Sequence, residues 1–100
     1  MTPAVSFEEL LAWTDESAAF WKEYLVANPA LLELPCGIGR AATVNDLVRH
    51  IWGSELIWGH RIAGLPELPR AEIPAGPIEA LFDLHLKAFE LFRSVLNNPA

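Results

Sequence analysis

The stretch from Thr43 to Gly64 carries both a helix start signal and a helix stop signal, and it limits the possible folds more than any other part of the chain. Thr43 can cap a helix N-terminus, and Asp46 follows at the spacing of a capping box. Gly64, with Pro66 close behind it, is a C-terminal stop signal. Apolar residues between these signals recur at helical spacing and predict one apolar face: Val44, Leu47, Val48, Ile51, Trp58 and Ile62. The stretch therefore predicts one complete amphipathic helix.

Two further helices are predicted on either side of this one. Ser6 and Glu9 have capping-box spacing, and Pro29 prevents continuation of the first helix beyond Asn28. Pro77 suits the first position of a third helix, which residues 97–99 should end. The predicted apolar faces are Phe7, Leu11, Thr14, Ala18, Trp21 and Leu25 in the first helix, and Ile78, Leu81, Phe82, His85, Phe89, Phe92 and Leu96 in the third. The chain is predicted to be all-α, a single domain over residues 1–100 with helices at about 6–28, 43–63 and 77–97, packed as an up-and-down bundle.

The two connections differ in character. The first, residues 28–42, contains Leu31, Leu32 and Ile38, which predict that it packs against the helices. The second, residues 64–77, is rich in proline and predicts a stiff, extended linker. Neither connection shows a strand pattern, so no sheet is predicted.

Composition and charge exclude several classes of function. The net charge is −6 and the seven basic residues are scattered, whereas a nucleic-acid-binding protein normally carries a basic patch. No apolar run approaches the roughly 18 residues of a membrane span. The N-terminus lacks the pattern of a signal peptide, and the single cysteine, Cys36, excludes an internal disulfide. We therefore expect a cytoplasmic protein that binds neither nucleic acid nor membranes.

An apolar surplus predicts self-association. Hydrophobic residues make up 52% of the sequence, a large share for a chain that buries only about 60–65% of its surface on folding. Trp13 and Phe20 lie away from the main face of the first helix, and the third helix is apolar around most of its circumference. Such surfaces are normally covered by another element, so the sequence predicts a homodimer.

The order of these features resembles the DinB-like (DinB/YfiT) family of metal-dependent four-helix bundles. The matching features are the first helix, the connection LLELPCGIGRAA, the helix TVNDLVRHIWGSELIWGHRIAG, the proline-rich link and the apolar third helix. The resemblance implies a divalent metal (zinc or nickel), held by a second-helix histidine that matches His50 and by two ligands from a fourth helix. It also implies thiol-linked transferase or hydrolase chemistry on an unknown substrate.

The sequence ends where that fourth helix should begin and contains no His-x-x-x-His pair. We therefore expect these residues to form the first three helices of such a bundle, with an incomplete metal site, weak or absent metal binding, and no enzyme activity of their own.

Three histidines are candidates for a site. His50 is the principal candidate metal ligand, although a boundary histidine hydrogen-bonded to a neighbour is the alternative. His85 is a weak second candidate, because a lone histidine within an apolar stripe is more often a neutral, satisfied core residue. His60 is ten residues from His50, about 15 Å along the same helix, so these two cannot share a metal within one chain.

Two further residues have more conventional interpretations. Glu55 falls on the predicted apolar face and needs a partner, such as an arginine or a capping amide, rather than serving as a general base. Cys36 has apolar neighbours and no nearby histidine, which favours an inert thiol over a nucleophile.

Two functions are thus compatible with the sequence. The first is the helical core of a DinB-like protein, and the second is a non-catalytic module for self-association or partner binding. A downstream helix with His-x-x-x-His would favour the first.

Overall fold

Three long helices account for most of the fold. The computed structural model describes residues 6–97, with α1 at Phe7–Ala27, α2 at Val44–Ile62 and α3 at Ile78–Asn97. The prediction of an all-α helical bundle is confirmed, and the predicted helix boundaries agree to within about one residue. The predicted stop signals at Asn98 and Pro99 lie outside the described residues.

The helix ends form as their capping residues predict. The Ser6 hydroxyl accepts a hydrogen bond from the Glu9 amide at 3.0 Å. At the start of α2, the Thr43 hydroxyl accepts from the Asp46 amide at 3.2 Å, and the Asp46 carboxylate accepts from the Thr43 amide at 3.3 Å. After α2, Gly64 has a φ of 73°, a left-handed conformation that favours glycine and ends the helix.

The first connection contains a small sheet that was not predicted. A 3₁₀ helix, Pro29–Glu33, is followed by β1, Pro35–Ile38, and β2, Ala41–Thr43, which pair antiparallel. Gly37 near the end of β1 and Gly39 between the strands both have a φ of 57°, which allows the chain to reverse there. The absence of strands was therefore a wrong prediction, because three or four residues are too few to show an alternating pattern.

The packing of this connection was predicted in part. Leu31 and Leu32 pack against the core, but Ile38 is 56% exposed.

Helix α3 lies at the centre of the core, and both α1 and α2 pack against it. The residues of the main buried cluster come from all three helices and from the second connection: Ala18, Leu25, Trp52, Leu56, Ile57, Ile73, Ile78, Leu81, Leu84 and Ala88. Helix α3 buries the N-terminal part of its predicted stripe, including Ile78, Leu81 and His85.

The predicted core face of α2 is correct only in its first turns, where Val44 and Val48 pack against the core. Ile51, Trp58 and Ile62 are each about half exposed, whereas the buried residues of α2 are Trp52, Gly53, Leu56, Ile57 and Gly59. The two glycines explain the difference, because they let neighbouring elements approach closely. A Cβ on Gly53 would lie 3.0 Å from the Ile73 side chain, and one on Gly59 would lie 3.2 Å from that of Leu91.

The proline-rich connection packs along α2 rather than spanning free space. Ile73 is only 3% exposed, and the short 3₁₀ helix Arg70–Glu72 precedes it. The Arg49 guanidinium donates to the carbonyl oxygens of Ile73 and Pro74 at 2.6 and 2.9 Å. The connection is thus a structural layer of the fold.

Candidate functional site

An open apolar groove runs between α1 and α2, with α3 as its floor. Its volume is about 390 Å³. The lining side chains come from all three helices: Phe7, Leu10, Leu11, Thr14, Ile51, Ser54, Glu55, Trp58, Ile62, His85, Phe89 and Phe92. Five large apolar residues of its walls are 48–55% exposed, namely Phe7, Leu10, Ile51, Trp58 and Ile62. Residues 6–97 therefore leave a substantial apolar surface uncovered.

A second exposed apolar surface lies along α1, beside the groove. This α1 aromatic strip consists of Trp13, Phe20, Trp21 and Tyr24, which are 46–67% exposed. The rings of Phe20 and Tyr24 are stacked with centroids 6.2 Å apart, and Trp21 meets both rings edge-on. Trp13 and Phe20 are exposed, in keeping with their predicted position away from the main face of α1, and the rings that Phe20 contacts belong to the same helix. Together, the strip and the groove form one extended apolar face.

A buried histidine lies at the floor of the groove and links the three helices. His85 of α3 is 2% exposed. Its Nε2 atom is 2.8 Å from Oδ1 of Asp15 on α1, and its Nδ1 atom is 2.9 Å from Oε1 of Glu55 on α2. The rings of Trp52, Phe82 and Phe89 surround the imidazole, with centroids 5.8–6.3 Å away. We refer to these residues as the Asp15–His85–Glu55 cluster.

The pKa of His85 reflects two opposing influences. Burial disfavours the charged imidazolium and lowers the pKa, but the hydrogen bonds to Glu55 and Asp15 and their negative charges favour it. The carboxylates prevail, so the pKa of His85 is raised above that of a free histidine. The residue is buried and satisfied, as the sequence predicted, and its raised pKa favours the charged imidazolium over the neutral form that the sequence predicted.

The structure does not bring the two candidate metal ligands together. Both ring nitrogens of His85 are engaged by carboxylates, so neither presents a free lone pair to a metal. His50 is exposed and about 100° around α2 from Ile51 of the groove wall. Its Nδ1 atom lies 3.5 Å from the Arg70 guanidinium, a positive charge that opposes a bound cation.

No group of three or more His, Cys, Asp or Glu residues within 6–97 is arranged to hold a metal ion. The described residues therefore do not fit the zinc or nickel site that the resemblance implies. His60 also stands apart, because its Nδ1 atom lies 3.0 Å from the Pro66 carbonyl oxygen.

Glu55 has a structural partner, as predicted, but this partner is His85 rather than an arginine or a capping amide. Cys36 is half-buried, and its thiol donates to the Ala41 carbonyl oxygen across the hairpin at 3.4 Å. The part of the chain from Ser6 to Asn97 places no histidine on this thiol, and nothing here indicates a nucleophile.

Sequence reasoning missed Asp15. An acidic residue on a helix usually faces solvent, and Asp15 was not on the predicted apolar face. The available signal was indirect, because a histidine within an apolar stripe requires polar partners from the facing helices. Asp15 lies three residues before the buried Ala18, close to the core side of α1.

Comparisons with known proteins identify no relative: no family model, no curated protein and no solved structure matches this chain. Among residues 6–97, no helix is long and apolar enough to cross a membrane.

Proposed function

We propose that this chain is a helical self-association module, in which the groove between α1 and α2 receives a helix from a second copy to form a homodimer. The observation that carries this proposal is the position of the uncovered apolar surface. Helices α1 and α2 each pack on α3 but leave between them an apolar groove with α3 as its floor. A further helix could occupy such a groove and cover both walls.

The exposed side chains provide the driving force. Burying a large apolar side chain completely contributes about 1.5–3 kcal/mol, and the wall residues are already half buried. Each would add about half of that contribution when a helix covers it. Aromatic residues such as those of the α1 aromatic strip are typical of the centres of protein interfaces.

A second copy suits the groove because this chain presents complementary charged edges. Glu9, Glu16 and Glu23 form an exposed acidic row on α1, next to the α1 aromatic strip. Arg61 of α2 and Arg70 of the second connection lie beside Trp58 and Ser54 of the groove. Glu67 pairs with Arg61 at 2.6 Å, so these three residues give this edge one net positive charge. An α1 helix seated in the groove of another copy can therefore place its acidic row against a basic edge, which offsets the repulsion expected between chains of net charge −6.

A DinB-like relationship is our second proposal. The place left between α1 and α2 is where a fourth helix could complete the bundle, as the resemblance implies for that family. We propose no metal-dependent reaction for residues 6–97, because the described side chains do not fit the metal and both His85 nitrogens are engaged. A fourth helix from the same chain would compete with a second copy for the groove.

A pair of lysine substitutions tests the self-association proposal. Ile51→Lys places a charge on the groove wall and should convert the dimer to a monomer in sedimentation velocity at micromolar concentration. Leu86→Lys is the matched control, because Leu86 is similarly exposed at 41% but faces a different opening, lined by Leu65 and Leu68. Equal dimer fractions in the two variants would contradict the proposed location of the interface.

A further inference from the structure

The Asp15–His85–Glu55 cluster lies directly beneath the surface that the second copy is proposed to cover. Of its three side chains, His85 is 2% exposed, Glu55 21% and Asp15 37%. Water therefore still reaches both carboxylates in a single copy, and His85 and Glu55 line the groove itself. Whatever occupies the groove changes the solvation of the cluster.

We propose that self-association is controlled by a proton held in this cluster, so that the dimer forms with proton uptake and weakens as the pH rises. This inference rests on the proposed self-association and specifies its regulation.

The two contacts of His85 require more hydrogen-bond donors than a neutral imidazole provides. A neutral imidazole has one N–H donor and one acceptor nitrogen, whereas a carboxylate can only accept. Both ring nitrogens of His85 lie within 2.9 Å of a carboxylate oxygen. Both contacts can be hydrogen bonds only if the cluster holds one extra proton. Imidazole is a much stronger base than a carboxylate, so this proton makes His85 an imidazolium. When that proton leaves, one contact becomes a repulsion between a carboxylate oxygen and a nitrogen lone pair.

Association also buries the charge of the cluster. With the extra proton, the cluster carries a net charge of −1, and without it the net charge is −2. A helix seated over the groove removes water from Glu55, which lines it, and the cost of this desolvation grows with the uncompensated charge of the cluster. The protonated cluster is therefore the form that the dimer favours.

One wall of the groove is provided by α1. Helix α1 packs chiefly on α3, and the contact from His85 to Asp15 is a side-chain hydrogen bond between these two helices. Losing it loosens α1 and disturbs one wall of the groove. Deprotonation therefore weakens association both through the buried charge and through the shape of the groove.

The other cationic groups near His85 do not supply the positive charge that this proton brings to the cluster. Lys22 of α1 lies over the Phe82 ring at 5.6 Å, and Arg93 of α3 lies over the Phe89 ring at 5.7 Å. Both cations are held against aromatic faces, and neither hydrogen-bonds to the cluster. From α2, the charged group that faces His85 is Glu55. The raised pKa of His85 agrees with this arrangement.

The experiment measures the Kd of the dimer by sedimentation from about pH 6 to about pH 9, a range that covers histidine titration. Each proton taken up on association changes the Kd by at most about tenfold per pH unit. A dimer contains two clusters, so its Kd can rise by up to about a hundredfold per pH unit. We expect a loss of at least about tenfold across this range in the unmodified chain.

Asp15→Asn is the decisive variant. An asparagine amide can donate to Nε2 while Nδ1–H donates to Glu55, so the cluster is satisfied without the extra proton. We expect Asp15→Asn to dimerise with little pH dependence. The matched control is Glu90→Gln, which removes the same charge from an exposed position of α3 outside the groove and should keep the pH dependence. In Glu55→Gln, the glutamine amide can donate to Nδ1 while Nε2–H donates to Asp15. This substitution provides a second variant if Asp15→Asn does not fold.

The outcomes separate this inference from the proposed function. If the unmodified chain dimerises with the same Kd throughout, or more tightly at high pH, the proton-control inference is overturned and self-association stands. If it is monomeric at every pH, the proposed function fails. An Asp15→Asn or Glu55→Gln dimer that keeps the full pH dependence would also overturn the inference, because the proton would then be held elsewhere.

Discussion

His85 and Asp15 are seventy residues apart in sequence, yet Nε2 of the imidazole lies 2.8 Å from Oδ1 of the carboxylate. This contact joins the first helix to the third. The other ring nitrogen, Nδ1, lies 2.9 Å from Oε1 of Glu55 on the second helix, so one buried side chain links all three long helices through polar contacts.

The first prediction is a stability that falls as the pH rises. The pKa of His85 is raised on folding, so its contribution is fully present below the pKa of an unfolded histidine, about 6.5, and is lost as the pH rises through the folded-state value. Urea denaturation at a series of pH values should show this loss in the unmodified chain.

His85→Gln should remove the pH dependence, whereas His60→Gln should keep it, because His60 contacts a backbone carbonyl near the surface. A stability of the unmodified chain that stays constant or rises above neutral pH would contradict the assigned charge of His85.

The second prediction concerns Glu55. Glu55→Ala removes one partner of a buried imidazole and should cost about 1–3 kcal/mol in the free energy of unfolding. Glu55→Gln should cost less, because its amide can donate to a neutral imidazole, and NMR titration should show a lower pKa for His85. Unchanged melting temperatures in both variants would mean that Glu55 is solvated and does not pair with His85.

The third prediction tests the close approach of Gly53 and Ile73, which determines which face of α2 is buried. Gly→Ala within a helix normally stabilises by up to about 1 kcal/mol, but a Cβ at Gly53 would lie 3.0 Å from Cγ2 of Ile73. Ile73 is 3% exposed, and Arg49 holds its carbonyl oxygen, so it has little room to move. We expect Gly53→Ala to destabilise the fold by about 1–3 kcal/mol.

A thermodynamic cycle with Ile73→Ala provides the control for this prediction. The alanine substitution at Gly53 should become much less costly in the Ile73→Ala background, since the clashing methyl group is gone. Equal costs in the two backgrounds would show that Ile73 does not pack against Gly53.

The fourth prediction concerns metal binding. Zinc or nickel should bind weakly at best, because His50 lies beside the Arg70 guanidinium and the His85 nitrogens are engaged. Calorimetry on the unmodified chain and on His50→Ala provides the measurement. Sub-micromolar binding that His50→Ala abolishes would contradict the structural account and favour the metal-dependent interpretation.

Local signals in the sequence predicted the helices because they act over three or four residues. The Thr43 and Asp46 capping box and the left-handed Gly64 form as predicted. The orientation of α2 could not be predicted in the same way. Helix α2 carries apolar residues on two sides. Which side is buried depends on Gly53 and Gly59, because these glycines lie against Ile73 and Leu91, which are distant in sequence.

The candidate site was also predicted only in part: its residues could be recognised from the sequence, but the contacts between them could not. Glu55 and His85 were both recognised as polar residues on apolar faces, but their pairing spans thirty residues and their shared partner Asp15 lies on another helix. Such a cluster depends on how three helices pack, which periodicity within one helix does not reveal. The His50 prediction came from a resemblance, and residues 6–97 supply no partners for it.

The mass of the chain in solution is the most direct test of self-association. Light scattering combined with sedimentation at micromolar concentration near pH 6 should give twice the mass of the 11.1 kDa chain, with the mass falling on dilution. A well-dispersed monomer that unfolds cooperatively under the same conditions would show that the three helices cover enough of their own apolar surface, and it would contradict the account.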